Sequence, residues 1–133
     1  MIIDTTTGQL GIPLSSARYK QDVAPMGTNS EGLLRLRPVT FAYKDDAGTK
    51  HFGLIAEEVA TVYPELVTRT ATGEVQTVKY HELIPMLLNE LQRQQQAIKR
   101  QEQELAEMSV LRKEMTELRA LVGQGHEMAA SSR

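Results

Sequence analysis

From Tyr80 to about Val122 the chain is built almost wholly from Leu, Gln, Glu, Arg, Lys, Met and Ala, residues that cost little in a helix. Leu91, Gln94, Ile98, Gln101, Leu105 and Met108 recur at alternating spacings of three and four, and Leu111, Met115, Leu118 and Val122 continue the rhythm. The step from Leu105 to Leu111 is three plus three, a stammer that should overwind a supercoil locally. So narrow an apolar stripe cannot be buried on a small domain, and its usual partner is a copy of the same helix. Gln94 and Gln101 fall at core-type positions, where a buried amide weakens a coiled coil but can fix its register. The alternative is a helical hairpin folded back on its own domain, but no Gly or Pro turn interrupts residues 86–122. Pro85 fits only in a first helical turn. Gly123-Gln124-Gly125 is expected to end the helix and leave a disordered tail over 123–133.

The rest of the chain must supply a small core. Its 133 residues suffice for one modest domain, and two Phe, four Tyr and no Trp leave little aromatic bulk. The formal net charge is −2 with Lys and Arg scattered, which gives no pull toward nucleic acid or an anionic membrane. No apolar run approaches the ~20 residues of a membrane helix. The N-terminus has no basic segment followed by an apolar stretch, so no signal peptide is expected. Cysteine is absent, which rules out disulfides and thiolate metal sites. Nothing implies a cofactor or a small-molecule substrate.

Residues 1–14 suggest a strand, a Thr-rich turn and an extended piece, the end of an upstream segment. A head over 15–80 follows. Residues 15–26 should hold a turn or short helix. Asn29-Ser30-Glu31 can open a helix carrying Leu33, Leu34 and Leu36, which Pro38 ends. Residues 39–44 alternate as a strand before a turn at 45–48. Leu54, Ile55, Val59 and Val62 share a helical face, and Tyr63-Pro64 stops that helix. Residues 66–69 and 75–78 form a hairpin around Gly73. The expected architecture is α+β: a small antiparallel-sheet head with short helices, then a coiled-coil helix over 81–122.

Ser15 and Lys20 lie five positions apart. A serine hydroxyl attacks well only when a base takes its proton, and a neutral lysine can be that base. Neutrality requires lowering the ordinary lysine pKa of ~10.4 to ~7–8 by burial or a cationic neighbour such as Arg18. An offset of five places the two side chains on opposite faces of a strand and ~140° apart on a helix. Only a turn, a corner or a lysine from another chain can join them. Without further context the spacing is a weak signal, and the pair reads as a solvated surface serine and lysine.

Several segments supply that context. Gly8-Gln9-Leu10-Gly11, Ser15-Ser16-Ala17-Arg18-Tyr19-Lys20-Gln21-Asp22-Val23 and Leu36-Arg37-Pro38-Val39-Thr40-Phe41-Ala42-Tyr43-Lys44 occur in order. Phe52-Gly53-Leu54-Ile55-Ala56-Glu57-Glu58-Val59, Pro64-Glu65-Leu66-Val67 and Val78-Lys79-Tyr80 follow. The series, over about residues 8 to 120, resembles the C-terminal intramolecular chaperone domain of phage endosialidases, tail spikes and neck appendages. Related domains occur in bacterial tail-fibre-like proteins and in a eukaryotic membrane-bound transcription factor.

The resemblance implies a parallel homotrimer with a three-stranded coiled coil. It implies a domain that brings an attached upstream fibre or spike into register and then cuts itself off. Carried over, Ser15 is the nucleophile, Lys20 the general base, and Leu14–Ser15 the scissile bond. A virion or bacterial-surface location is implied in the same way. Two positions depart from the family pattern: Ser16 stands where the best-known members have Asp, and Glu57 where many have Gln. The first departure leaves room for a catalytically silent trimerisation module, and a generic coiled-coil adaptor is a further alternative.

Other residues carry blander expectations. Arg18 and Glu58 are candidates for tuning Lys20, although Glu58 is better suited to an ion pair or a cap. Glu57 should be exposed at a helix start or join a polar network near the cut. Three scattered histidines, His51 and His81 among them, lack a metal-ligand spacing. Met86, Met108 and Met115 are core fillers at helical spacing.

Overall fold

A computed structural model describes residues 2–3, 10–11 and 14–132. The Thr-rich turn and Pro13 expected upstream lie outside the described residues. The chain is α+β, with two-stranded antiparallel ladders and a long C-terminal helix. Strand β1 (Ile2–Ile3) pairs with β2 (Leu10–Gly11).

A 3₁₀ helix over Gly27–Arg35 opens the packed part of the head. It starts earlier than Asn29 suggested, and its period is three rather than 3.6. That period aligns Gly27, Ser30, Leu33 and Leu36 along one line. The line is the face turned to the long helix: Ser30 is fully buried, and Leu33 and Leu36 pack on the core. Leu34, off the line, remains exposed.

Strands β3 (Val39–Tyr43) and β4 (Asp46–Gly53) form a hairpin, with Val39 opposite Gly53 and Phe41 opposite His51. The expected turn at 45–48 is therefore shorter, because Asp46 already pairs with Tyr43 across a bulge. Phe41, Tyr43 and His51 pack as a ring cluster, with the Phe41 and His51 centroids 5.6 Å apart.

Helix α1 (Ala56–Val62) begins after Leu54 and Ile55 rather than including them. Tyr63 caps it and Pro64 opens a short 3₁₀ turn, Pro64–Leu66. Strands β5 (Val67–Arg69) and β6 (Val75–Val78) form the expected hairpin, with Gly73 at φ +88° in its turn. The core is Val59, Tyr63, Leu66, Val67, Val78, Leu83 and Met86.

Helix α2 runs Tyr80–Ser131, from a backbone bond of Lys79 N–H to the Leu66 carbonyl. Pro85 is its sixth residue, not a first-turn residue as expected. The bond it removes is the one to the His81 carbonyl, and both residues lie on exposed surface where water can replace it. Nor does the helix stop at Gly123. It passes through Gly123 and Gly125, because each glycine costs only ~1 kcal/mol in a helix interior and good helix formers flank the pair.

The base of α2 has two faces. At ~100° per residue, Leu83, Met86, Asn89, Glu90 and Arg93 centre about 150° from Ile84, Leu88, Leu91 and Ile98. The first set meets the head, and the second is exposed. From Gln94 to Ser132 every residue is exposed. Among the described residues no helix is long and apolar enough to cross a membrane.

Candidate active site

Ser15 and Lys20 flank a single 3₁₀ turn, Ala17–Tyr19. Tyr19 N–H bonds to the Ser16 carbonyl at 3.0 Å and Lys20 N–H to the Ala17 carbonyl at 3.1 Å. Ser16 and Lys20 themselves are extended, at ψ 141° and 147°. The chain thus enters straight, turns once and leaves straight, the corner that an offset of five demands. Lys20 Nζ donates to Ser15 Oγ at 3.2 Å. Both residues belong to the same chain, so no second copy is needed for the contact. Just beyond, Asp22 sits at φ +53°, a left-handed conformation that aspartate tolerates better than most residues.

The segment is open. Every residue from Leu14 to Pro25 is exposed, Leu14 by 66%. The Leu14–Ser15 bond is thus accessible, and no side chain of the head covers Lys20.

The other expected residues fall elsewhere. The Arg18 guanidinium stacks over the Tyr19 ring, 4.7 Å from its centre. Glu58 pairs with Arg37, whose Nε donates to Oε2 at 3.3 Å and whose Nη2 donates to Oε1. The Glu58 hydrogen bond raises the Arg37 pKa above its ordinary value, and its negative charge adds to the effect. Glu57 is exposed at the start of α1. His51 lies in the aromatic cluster of the β3–β4 hairpin, and His81 Nε2 lies 3.7 Å from Glu82 at the start of α2. A cleft of about 260 Å³ opens between Phe41, Tyr43, Leu54, Glu57, Gln76 and Tyr80, and no residue of 14–25 lines it.

One group of polar residues had no counterpart in the sequence reading. Ser30 Oγ donates to Glu90 Oε2 at 2.9 Å and accepts from Asn89 Nδ2 at 2.7 Å. The Asn89 amide also donates to the Gly27 carbonyl at 2.9 Å. Arg93 bridges Glu90, at 3.1 Å, and Glu31. Hydrogen bonding to Glu31 raises the Arg93 pKa above its ordinary value. Only the Glu90–Arg93 spacing of three hinted at any of this.

Residues 15–68 match the model of a peptidase family described as chaperone of endosialidase. Over this segment the chain is similar to that family. The match opens on Ser15 and closes at Thr68 inside β5, so the chaperone-of-endosialidase segment takes in the 3₁₀ corner, both 3₁₀ helices after it, the β3–β4 hairpin and α1. The family's description supports a chaperone role, and its peptidase designation is consistent with a serine nucleophile. A search of curated proteins found no match.

Proposed function

We propose that the chain is an intramolecular chaperone that assembles three copies of an attached upstream protein and then releases itself by cutting Leu14–Ser15. The observation that carries the cleavage is the 3.2 Å contact between Lys20 Nζ and Ser15 Oγ at the edge of the family segment. The observation that carries the assembly is the exposed apolar stripe of α2, with Leu91, Leu105 and Leu118 each more than 60% exposed.

In the proposed step a neutral Lys20 amine takes the Ser15 hydroxyl proton as Oγ attacks the Leu14 carbonyl carbon. The C–N bond to Ser15 breaks, and its α-amine leaves with the proton that Lys20 returns. The Leu14 acyl group is now an ester on Oγ. Water, deprotonated by the same amine, hydrolyses the ester and frees the upstream chain with a Leu14 carboxylate. Lys20 is exposed within one chain, so the dehydration that a neutral amine requires is assigned to assembly, when neighbouring copies cover the corner.

Fusing the chain behind a folded upstream domain tests this reading. Release of a fragment beginning at Ser15 is expected, and Ser15→Ala and Lys20→Ala each abolish it. A fusion that stays intact as a trimer would leave the silent trimerisation module. A stable monomer would remove the assembly role as well.

A further inference from the structure

The corner that holds Ser15 and Lys20 is exposed on all sides, yet the chemistry proposed above needs it held in one place relative to the assembling helices. Among the described residues its root is held at Met26, which packs against the core, and at the residue after it. Seven residues after Lys20, Gly27 begins the 3₁₀ helix with φ +59°, and its carbonyl accepts a hydrogen bond from Asn89 of α2. The same amide donates to Ser30 Oγ, which is fully buried and bonded in turn to Glu90. Asn89 therefore grips the root of the reactive segment from the head-facing side of the helix, opposite the exposed stripe.

We infer that Asn89 is a positioning residue, which with Ser30 fixes the Ser15–Lys20 corner relative to the coiled-coil axis so that assembly and cleavage are coupled. This rests on the proposed function. Three features distinguish the contact from general packing. Both acceptors of the Asn89 amide belong to the 3₁₀ helix that roots the segment. Ser30 is the one polar residue among the fully buried side chains of the described residues. The period of three brings Gly27 and Ser30 onto the same line, so one amide reaches both. An alanine at position 89 leaves the Gly27 carbonyl and the Ser30 hydroxyl each one partner short, and leaves the root of the segment held by the packing of Met26 without these polar bonds.

The test uses the full chain behind its upstream fusion, as parent, Asn89→Ala and Leu83→Ala. Leu83 is a buried core residue on the same helix, and its apolar side chain makes no hydrogen bond to Gly27 or Ser30, so its variant controls for plain loss of stability. Asn89→Ala should still form trimers by sedimentation but slow release by up to about a hundred-fold, the cost of ~1 Å of misplacement at a reacting centre. Its pH midpoint should not move. Leu83→Ala should lower the melting temperature yet slow release less.

A second measurement does not depend on cleavage. The chain has no cysteine, so spin labels at Ala17→Cys and Arg100→Cys attach only there. In a Ser15→Ala background diluted with unlabelled chain, the label pair should give one narrow distance, which Asn89→Ala broadens and Leu83→Ala leaves narrow. An unchanged distribution in Asn89→Ala, or a broad one already in its parent, overturns the inference. So does release at the parent's rate. A parent fusion that never cleaves removes the proposed peptidase function instead, and the label distances then decide the role of Asn89 alone.

Discussion

Between Leu83 and Arg93 the long helix covers one side with its own head, whereas from Gln94 to Ser132 it touches nothing. The two stretches have similar composition, and both are rich in helix formers. They differ in what holds them. At the base, Leu83 and Met86 are buried in the core and Asn89, Glu90 and Arg93 bond to the 3₁₀ helix. Beyond it, Ile98, Leu105, Met108, Leu111, Met115, Leu118 and Val122 are all exposed. Most helical stability in proteins comes from packing an apolar face rather than from propensity. The head therefore accounts for its own fold within one chain, and the distal helix does not. The Ser15–Lys20 contact and the exposed stripe thus lie in different regions: the contact is made within a single chain, and the stripe is left uncovered by it.

The largest expected effect tests which region owns the chemistry. Because Lys20 reaches Ser15 of its own chain, mixed trimers of Ser15→Ala and Lys20→Ala fusions should release no fragment at all. Recovery of cleavage on mixing would mean that the lysine acts across chains, and would move the site from the head to the interface. The next effect breaks the seam alone. Leu105→Asp with Leu118→Asp should abolish self-association and reduce the helical circular dichroism. Each leucine that the proposed assembly buries would contribute about 1.5–3 kcal/mol in every chain. The near-ultraviolet signal of the head should persist. Its loss would show that the head, too, depends on copies.

A third substitution works from the head side. Leu66 is 3% exposed at the centre of the core, and Leu66→Ala should cost about 2–5 kcal/mol of head stability. Gly32→Ala should cost less, about 1–3 kcal/mol, through overpacking. A Cβ there would stand 2.6 Å from the Tyr63 hydroxyl and 2.7 Å from its ring. That ring is buried, so it has little room to retreat. Chemical denaturation followed by tyrosine fluorescence would measure both. Melting of the distal helix in step with the head in either variant would contradict the division drawn here.

What could be read in the sequence follows the same division. The distal helix was legible because its pattern is local: spacing and composition state the fold directly. Its end was not, since two glycines weaken a helix by amounts that flanking residues can offset. The β5–β6 hairpin announced itself through the turn around Gly73, and α1 through its apolar face and Tyr63-Pro64. The Ser15–Lys20 corner was legible only as a condition. The offset of five required a turn between the two residues, and Ala17–Tyr19 provides it. The Gly27–Arg35 helix was expected from Asn29 without a period, because Leu33, Leu34 and Leu36 suit either helix type until the position of α2 selects the line through Ser30. The contacts of Asn89 span about sixty residues, a separation at which no local pattern exists.

The smallest effect is a pH dependence confined to the head. Burial raises the Tyr63 phenol above its ordinary value, although nearby backbone hydrogen bonds work against the shift. Its hydroxyl donates to the Asn29 carbonyl at 2.8 Å, a bond that only the neutral form can make. The folded state thus favours the protonated phenol more than the unfolded chain does. That contribution is complete below the ordinary tyrosine pKa of ~10 and disappears as pH rises through the higher folded value. The head should therefore lose stability more steeply as pH rises above the ordinary tyrosine pKa of ~10 in the parent than in Tyr63→Phe, which has no phenol there to ionise. Tyr63→Phe starts lower at neutral pH, since it gives up the bond to Asn29, and the two curves should converge under alkaline conditions. Parallel curves would mean that the phenol titrates as it does in the unfolded chain, and that the junction of α1 with the 3₁₀ helix is looser than its burial implies. The distal helix contains no tyrosine beyond Tyr80 at its first residue, so the difference between parent and variant reports on the self-contained region alone.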